Sequence, residues 1–200
     1  VTIDIIDAPT VAITNPTTIC EDGTLTFTAS STNAVSLAWV EDGAGALDDA
    51  TIITPTYTPV AADAGNTVTF TLTVTGAAAC GTVDSTVTLD IIGAPTVEAG
   101  TGDGTAVCMS SSYTVVASSE TNTASFIWSH DGNGSFDNTG ILLPTYTPAA
   151  GDEGTTVTLT LSGTANAPCS DVSDVVTIDI IDAPTVAITN PTTICEDGTL

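Results

Sequence analysis

The first 25 residues, VTIDIIDAPTVAITNPTTICEDGTL, return letter for letter as residues 176–200. That repetition constrains the chain more than any other feature. It sets a period of 175 residues, so each structural unit must stack on a copy of itself or on a near relative. A weaker period lies inside the first. The string APTV recurs at Ala8–Val11, Ala94–Val97 and Ala183–Val186. Other landmarks keep the same spacing: Cys20 and Cys108, Trp39 and Trp128, Pro55–Pro59 and Pro144–Pro148, Asp63 and Asp152, Gly65 and Gly154, Cys80 and Cys169. The period therefore divides into two homologous units. The boundaries predicted from this register are 1–6, the last strand of a preceding repeat; 7–93, a first domain; 94–182, a second domain; and 183–200, the start of the next copy of the first.

Each unit reads as all-β. Val68, Phe70, Leu72 and Val74 alternate with Thr67, Thr69, Thr71 and Thr73, and the copy alternates Val157, Leu159 and Leu161 with Thr156, Thr158 and Thr160. A period of two means a strand with one buried and one wet face. Leu25, Phe27 and Ala29 predict a second strand. Leu37 and Trp39 predict a third, and Val87, Leu89 and Ile91 the last, copied as Val176, Ile178 and Ile180. Turn signals such as Glu41-Asp42-Gly43 and Asp131-Gly132-Asn133-Gly134 separate the runs. Several short strands in under 90 residues, with a Trp on the third, describe tandem immunoglobulin-like β-sandwich domains arranged end to end.

Charge narrows the partners. The chain holds 24 acidic residues and neither Lys nor Arg. Without cations it has nothing to neutralise phosphates, which excludes nucleic acid, and nothing to attract an anionic membrane surface. No apolar run is long enough for a membrane helix, so no direct membrane insertion is expected. With no initiator Met and no signal peptide, the segment is expected to come from inside something longer. Trypsin-like proteases would find no site.

Five cysteines are present, Cys20, Cys80, Cys108, Cys169 and Cys195, the last being the next copy of Cys20. Two per domain predict intradomain disulfides, Cys20 with Cys80 and Cys108 with Cys169, stapling loops at one end of each sandwich. A bridge closing such a loop contributes about 4 kcal/mol in the chain-entropy picture. The spacing does not suit zinc, and the lone His130 offers no help. Disulfides place the protein outside the cell, secreted or attached to a surface.

The segment Ile127-Trp128-Ser129-His130-Asp131-Gly132-Asn133-Gly134-Ser135-Phe136, followed by Pro144–Pro148, Asp152, Gly154, the strand Val157–Leu161 and Cys169, resembles the PKD-like and Ig-like repeats of giant Bacteroidetes-type secreted surface adhesins. The first domain repeats the pattern with a degraded turn, Trp39–Gly45. The resemblance implies an extracellular stalk or adhesive filament and brings no catalytic residues with it. Asp84-Ser85-Thr86 also resembles the short O-glycosylation acceptor of such proteins, with Ser85 as the candidate residue; the alternative is that Ser85 is an ordinary strand residue.

One metal site is a candidate. Asp131, Asn133, Ser135 and Asp137 place oxygens at every second position, as at the start of a calcium loop. Phe136 and Leu142 stand where an EF-hand needs Gly and Glu. The alternative is a turn that uses Asp-Gly and Asn-Gly because both tolerate positive φ. Acidic residues near the junctions (Asp7, Asp90, Glu98, Asp103, Asp179, Asp182) form a second candidate cation cluster, or else a solvated acidic surface. Asn133-Gly134-Ser135 also fits an N-glycosylation sequon. Trp39 and Trp128 are expected in the cores.

No nucleophile context, phosphate loop or cofactor motif supports an enzyme. The linkers Gly93–Thr96 and Asp182–Thr185 are short and each carries a Pro, so the domains should form a semi-rigid rod rising roughly 70–90 Å per period. The expected partners are further copies of the same repeat, in one chain or in a filament, with any surface or glycan ligand elsewhere in the protein. Two alternatives stand beside the stalk: a pilin-like subunit polymerising by donor-strand exchange through residues 1–6, and a carbohydrate-binding module array.

Overall fold

The computed structural model describes residue 2 and residues 5–188; Cys195 and the rest of the third APTV segment's sequel lie outside the described residues. Nine strands build the first sandwich: β1 Thr10–Ile13, β2 Thr18–Cys20, β3 Leu25–Thr26, β4 Ala29–Thr32, β5 Ser36–Glu41, β6 Ala46–Leu47, β7 Thr56–Thr58, β8 Thr67–Thr75 and β9 Thr82–Ile92. Nine more build the second in the same order: β10 Thr96–Glu98, β11 Thr105–Cys108, β12 Tyr113–Thr114, β13 Ser119–Thr121, β14 Thr123–His130, β15 Ser135–Phe136, β16 Thr145–Thr147, β17 Thr156–Ala165 and β18 Val172–Ile181.

The topologies match strand for strand. A four-stranded sheet runs β2-β9-β8-β5 in one sandwich and β11-β18-β17-β14 in the other. Opposite it lie β3-β7-β6 and β12-β16-β15, with the two-stranded pairs β1-β4 and β10-β13 beside them. The chain enters each domain twice, first pairing antiparallel with β4 or β13, then crossing to pair parallel with the last strand. The parallel register sets Cys20 opposite Ile92 and Cys108 opposite Ile181.

The alternating runs behave as their period requires. Phe70, Leu72 and Val74 are fully buried, as are Leu159, Leu161, Val176 and Ile178. The Thr faces are wetter, and hydroxyls pair across strands, as at Thr26 and Thr56 (3.0 Å) and Thr114 and Thr145 (3.0 Å). The strand predicted over Leu25, Phe27 and Ala29 is in fact two. Leu25–Thr26 pairs with β7, whereas Ala29–Thr32 pairs with β1. Phe27, buried between them, donates its N–H to Pro55 O at 2.8 Å and marks the crossing. Each sandwich has its own core, one gathered around Trp39, Tyr57 and Phe70, the other around Trp128, Tyr146 and Leu159.

Candidate functional site: the domain junction

The chemistry of this chain gathers where one sandwich hands over to the next. β9 ends at Ile92, and Gly93-Ala94-Pro95 leads straight into β10. Such a short linker exposes backbone groups that need partners, and side chains from both domains supply them. Glu21, just past β2, accepts the Ala94 N–H on Oε2 at 3.2 Å. Asn122 donates from Nδ2 to Ala94 O at 3.0 Å, and its own carbonyl accepts from Asn166 Nδ2 at 3.1 Å. Asn33 makes the same bond in the first domain, to Ala8 O at 3.0 Å. Both residues sit at positive φ, 55° for Asn33 and 58° for Asn122, a region Asn tolerates better than most side chains.

The cysteines correct the sequence-based pairing. Cys20 bonds Cys169, across the junction, with the Cα atoms 4.9 Å apart; Cys80 and Cys108 are free. The pairs Cys20–Cys80 and Cys108–Cys169 therefore do not form. The reason is positional. Cys20 ends β2, at the trailing end of its sandwich, level with Ile92. Cys169 lies in the turn joining β17 to β18, at the leading end of the second, where its Sγ sits 3.7 Å from both Ile92 O and Gly93 O. Two cysteines at opposite ends of one sandwich cannot meet, whereas trailing and leading ends of neighbours abut. Asp22 joins the two sulfurs within 4.8 Å, the only such group of His, Cys, Asp or Glu among the described residues. With its sulfurs bonded to each other it offers no thiolate to a metal.

Of the predicted calcium residues, Asp131 and Asn133 lie in the turn between β14 and β15, Ser135 begins β15 and Asp137 follows it. Asp131 Oδ1 accepts the Thr158 N–H at 2.7 Å. Asp137 Oδ1 accepts from Asn138 N at 2.7 Å and Thr145 N at 2.8 Å. Asn133 uses its backbone N–H (2.6 Å) and Nδ2 (3.1 Å) to donate to Asp152 Oδ1, and Ser135 is exposed on β15. The first domain lacks the Asn and Ser, yet Asp42 and Asp48 accept the equivalent bonds from Thr69 N and Thr56 N, both at 2.7 Å. The turn glycines are needed for another reason. A Cβ on Gly45 would lie 2.7 Å from Tyr57 Oη, and one on Gly134 2.6 Å from Tyr146 Oη.

That tyrosine leads to a buried carboxylate in each domain, a role the sequence reading did not assign. Tyr57 donates to Asp63 Oδ2 at 2.8 Å, and Asp63 also accepts the N–H groups of Ala44 (2.7 Å), Gly45 (2.9 Å) and Val60 (3.1 Å). Tyr146 donates to Asp152 Oδ2 at 3.0 Å, beside Ala149 N at 3.0 Å. Burial raises the pKa of each carboxyl, but the amide and phenol donors outweigh it and hold both below the ordinary value. Burial pushes the Tyr146 phenol up to about 12, against the Gly134 N–H and with Asp152 beside it; Tyr57 is pushed up likewise. The recurrence of Tyr and Asp six residues apart in both units was the available signal.

The junction carboxylates do not converge. Asp90 accepts from Thr67 Oγ1 at 2.5 Å and Asp179 from Thr156 Oγ1 at 2.6 Å, at equivalent places on different sandwiches. Asp103 accepts from Thr177 N at 2.9 Å, while Asp7, Glu98 and Asp182 are exposed. Ser85 stands in mid-β9, half-buried, opposite Leu72. Both tryptophans are in the cores.

No protein family and no curated protein matches the chain in sequence. Solved structures do match in shape. The insect immune protein hemolin superposes with a TM-score of 0.53 at 10% identity, over 88% of this chain and 47% of hemolin. Extracellular domains 3–5 of Drosophila OTK give 0.49 at 11% identity, over 88% and 62%, and the titin I-band fragment I67–I69 gives 0.47 at 13%, over 89% and 67%. The chain thus spans between about half and two thirds of the length of these tandem proteins. The fold is a tandem of immunoglobulin-like sandwiches. Among the described residues no helix is long and apolar enough to cross a membrane.

Proposed function

We propose that this chain is the repeating unit of an extracellular filament or adhesin stalk, of the kind its PKD-like resemblance implies, and that its work is mechanical rather than catalytic. The observation that carries this reading is the Cys20–Cys169 bond. It fastens the trailing end of one domain to the leading end of the next. A binding module or an enzyme domain gains nothing from such a clamp. A chain under tension gains a great deal.

The gain can be put in lengths. The bond spans 149 residues, so only 26 of each 175-residue period remain in the covalent path along the array. Fully drawn out, 26 residues reach about 90 Å, whereas an unbridged period reaches about 600 Å. An oxidised array cannot lengthen far beyond its folded repeat, however hard it is pulled. The bond also favours an oxidising compartment, outside the cytoplasm.

Stretching a single array of known repeat number tests this. The expected limiting extension is about 90 Å per period when oxidised, rising to about 600 Å in reductant. A value near 190 Å per period would mean intradomain pairs instead. Rupture after one period under any condition would remove the continuous stalk. That last outcome would favour the pilin-like subunit.

A further inference from the structure

Cys80 and Cys108 are unpaired, but each is placed as one half of the bond already formed. Cys108 ends β11 and sits opposite Ile181, as Cys20 ends β2 and sits opposite Ile92. The backbone repeats the match. Glu21 N donates to Ile92 O at 2.8 Å, and Met109 N donates to Ile181 O at 2.9 Å. Cys80 is the leading-end cysteine of the first sandwich, in the turn between β8 and β9. Its Sγ lies 3.7 Å from Ile6 O, as Cys169 Sγ lies 3.7 Å from Ile92 O.

The sequence closes the geometry. Ile6 is the copy of Ile181. Where one copy follows another, the strand residue beside Cys80 is therefore the residue that β11 sets opposite Cys108. The same strand position would hold both sulfurs, as Ile92 holds Cys20 and Cys169. From this juxtaposition we infer that Cys108 of each copy forms a disulfide with Cys80 of the next, so that every domain junction in the array is stapled. The inference rests on the reading of copies set head to tail.

The step is an oxidation. Two thiols lose two protons and two electrons, one S–S bond forms, and a disulfide donor such as oxidised glutathione is reduced to two thiols. A thiolate attacks the donor, and the second thiolate displaces it from the mixed disulfide. Cys108 is the better first nucleophile. The Ser110 hydroxyl, 3.2 Å from its Sγ, and the Ser110 N–H hold its pKa below the usual thiol value.

A consequence follows for durability. Cys20–Cys169 leaves one covalent path through residues 169–175 and 1–20 of the next copy. Cys108–Cys80 adds a second path through residues 80–108. The two share no peptide bond. A single backbone cut between Cys20 of the first copy and Cys169 of the last then leaves the array in one piece until the disulfides are reduced.

Disulfide mapping of a multi-period array, kept oxidised, alkylated, and digested with pepsin at low pH, tests the inference. The expected map contains a Cys80–Cys108 peptide beside Cys20–Cys169, with alkylation lost at both Cys80 and Cys108 at internal junctions. A Cys80→Ser array should leave Cys108 alkylated and Cys20–Cys169 intact. The 200-residue chain, reoxidised with oxidised glutathione at high dilution, should give no Cys80–Cys108 peptide, each of the two cysteines being recovered alkylated or as its glutathione mixed disulfide. Free Cys80 and Cys108 in the oxidised array, a Cys20–Cys80 peptide, or a Cys80–Cys108 peptide in the dilute single chain would each overturn the inference. Electrophoresis with and without reductant separates this from the stalk reading. If the linked peptide is found but reduction releases chains one period long, the staple stands and the continuous chain falls.

Discussion

The two sandwiches share every strand and part of the core by identity (Trp39 and Trp128, Tyr57 and Tyr146, Val68 and Val157, Leu72 and Leu161, Ile91 and Ile180), but their other aromatic rings have moved. In the first, Phe70 packs under Phe27 and Tyr57, with ring centroids 4.7 and 4.8 Å apart. In the second, Val115 and Leu159 occupy those places, and Phe136 stands where the first has Leu47. Phe136 contacts Trp128, His130 and Tyr146 at 5.9, 5.5 and 5.6 Å. A ring has in effect changed places with an aliphatic side chain, from mid-sheet to the end of the barrel of side chains nearest the turn. What did not move is the buried Tyr–Asp pair with its amide donors. Apolar volume can be redistributed so long as the total is kept. A buried carboxylate cannot, because each donor around it would be left unpaired.

The comparison breaks most visibly at the carboxylates. Asp63→Ala and Asp152→Ala should each cost about 4 kcal/mol, since several buried donors lose a charged acceptor at once. Urea unfolding of each variant would measure it. Near-equal losses are expected despite the different turns. A loss below about 1 kcal/mol at either site would show that the pair is not what the two domains have kept in common.

The same groups set the pH limits. Both carboxyls have folded pKa values below the unfolded one, so their stabilisation is present above about pH 4 and is lost as pH falls through the folded values. The phenols run the other way. Tyr146 is raised to about 12, so its contribution is whole below about pH 10 and disappears as pH climbs through 12. Thermal unfolding should show a broad plateau between these limits. A fall in melting temperature between pH 5 and 9 would contradict it.

Much of this fold was legible because a period of two is a direct print of a half-buried strand. Val68–Val74 and Val157–Leu161 needed no more than that. The Leu25–Ala29 segment was misread as one strand because alternation continues through Phe27 while the chain changes sheets, and periodicity carries no information about which neighbour a strand pairs with. The junction was less legible still. Cysteine spacing counts residues along the chain, but a disulfide depends on which ends of two sandwiches abut. Only the parallel pairing of Cys20 with Ile92, and the turn that carries Cys169 onto that same residue, decide it. Asn33 and Asn122 were hidden for a like reason. Their positive φ and their bonds to the linker carbonyls belong to the backbone geometry.

A smaller effect tests the movement of the ring itself. Phe70→Leu should cost the first sandwich about 1–3 kcal/mol through lost volume. Adding Leu47→Phe reproduces the Leu159 and Phe136 part of the second domain's layout and should restore most of it. A double-mutant cycle reads the coupling, with recovery of about 1 kcal/mol expected. Simple additivity of the two losses would mean that the cores are not interchangeable solutions to one packing problem.

The smallest expected effect concerns calcium. In both domains the turn carboxylates cap backbone N–H groups, and the first domain keeps those bonds after losing the intervening Asn and Ser. A turn held by its own hydrogen bonds has little to gain from an ion. Melting temperatures in millimolar calcium and in chelator should therefore agree within about 1 °C, a shift that corresponds to only a few tenths of a kcal/mol for domains of this size. Asp131→Asn keeps an oxygen acceptor for Thr158 N and should leave that agreement unchanged. A calcium-dependent rise confined to the second domain and abolished by Asp131→Asn would reverse the assignment, because only that domain has oxygens at all four positions, Asp131, Asn133, Ser135 and Asp137.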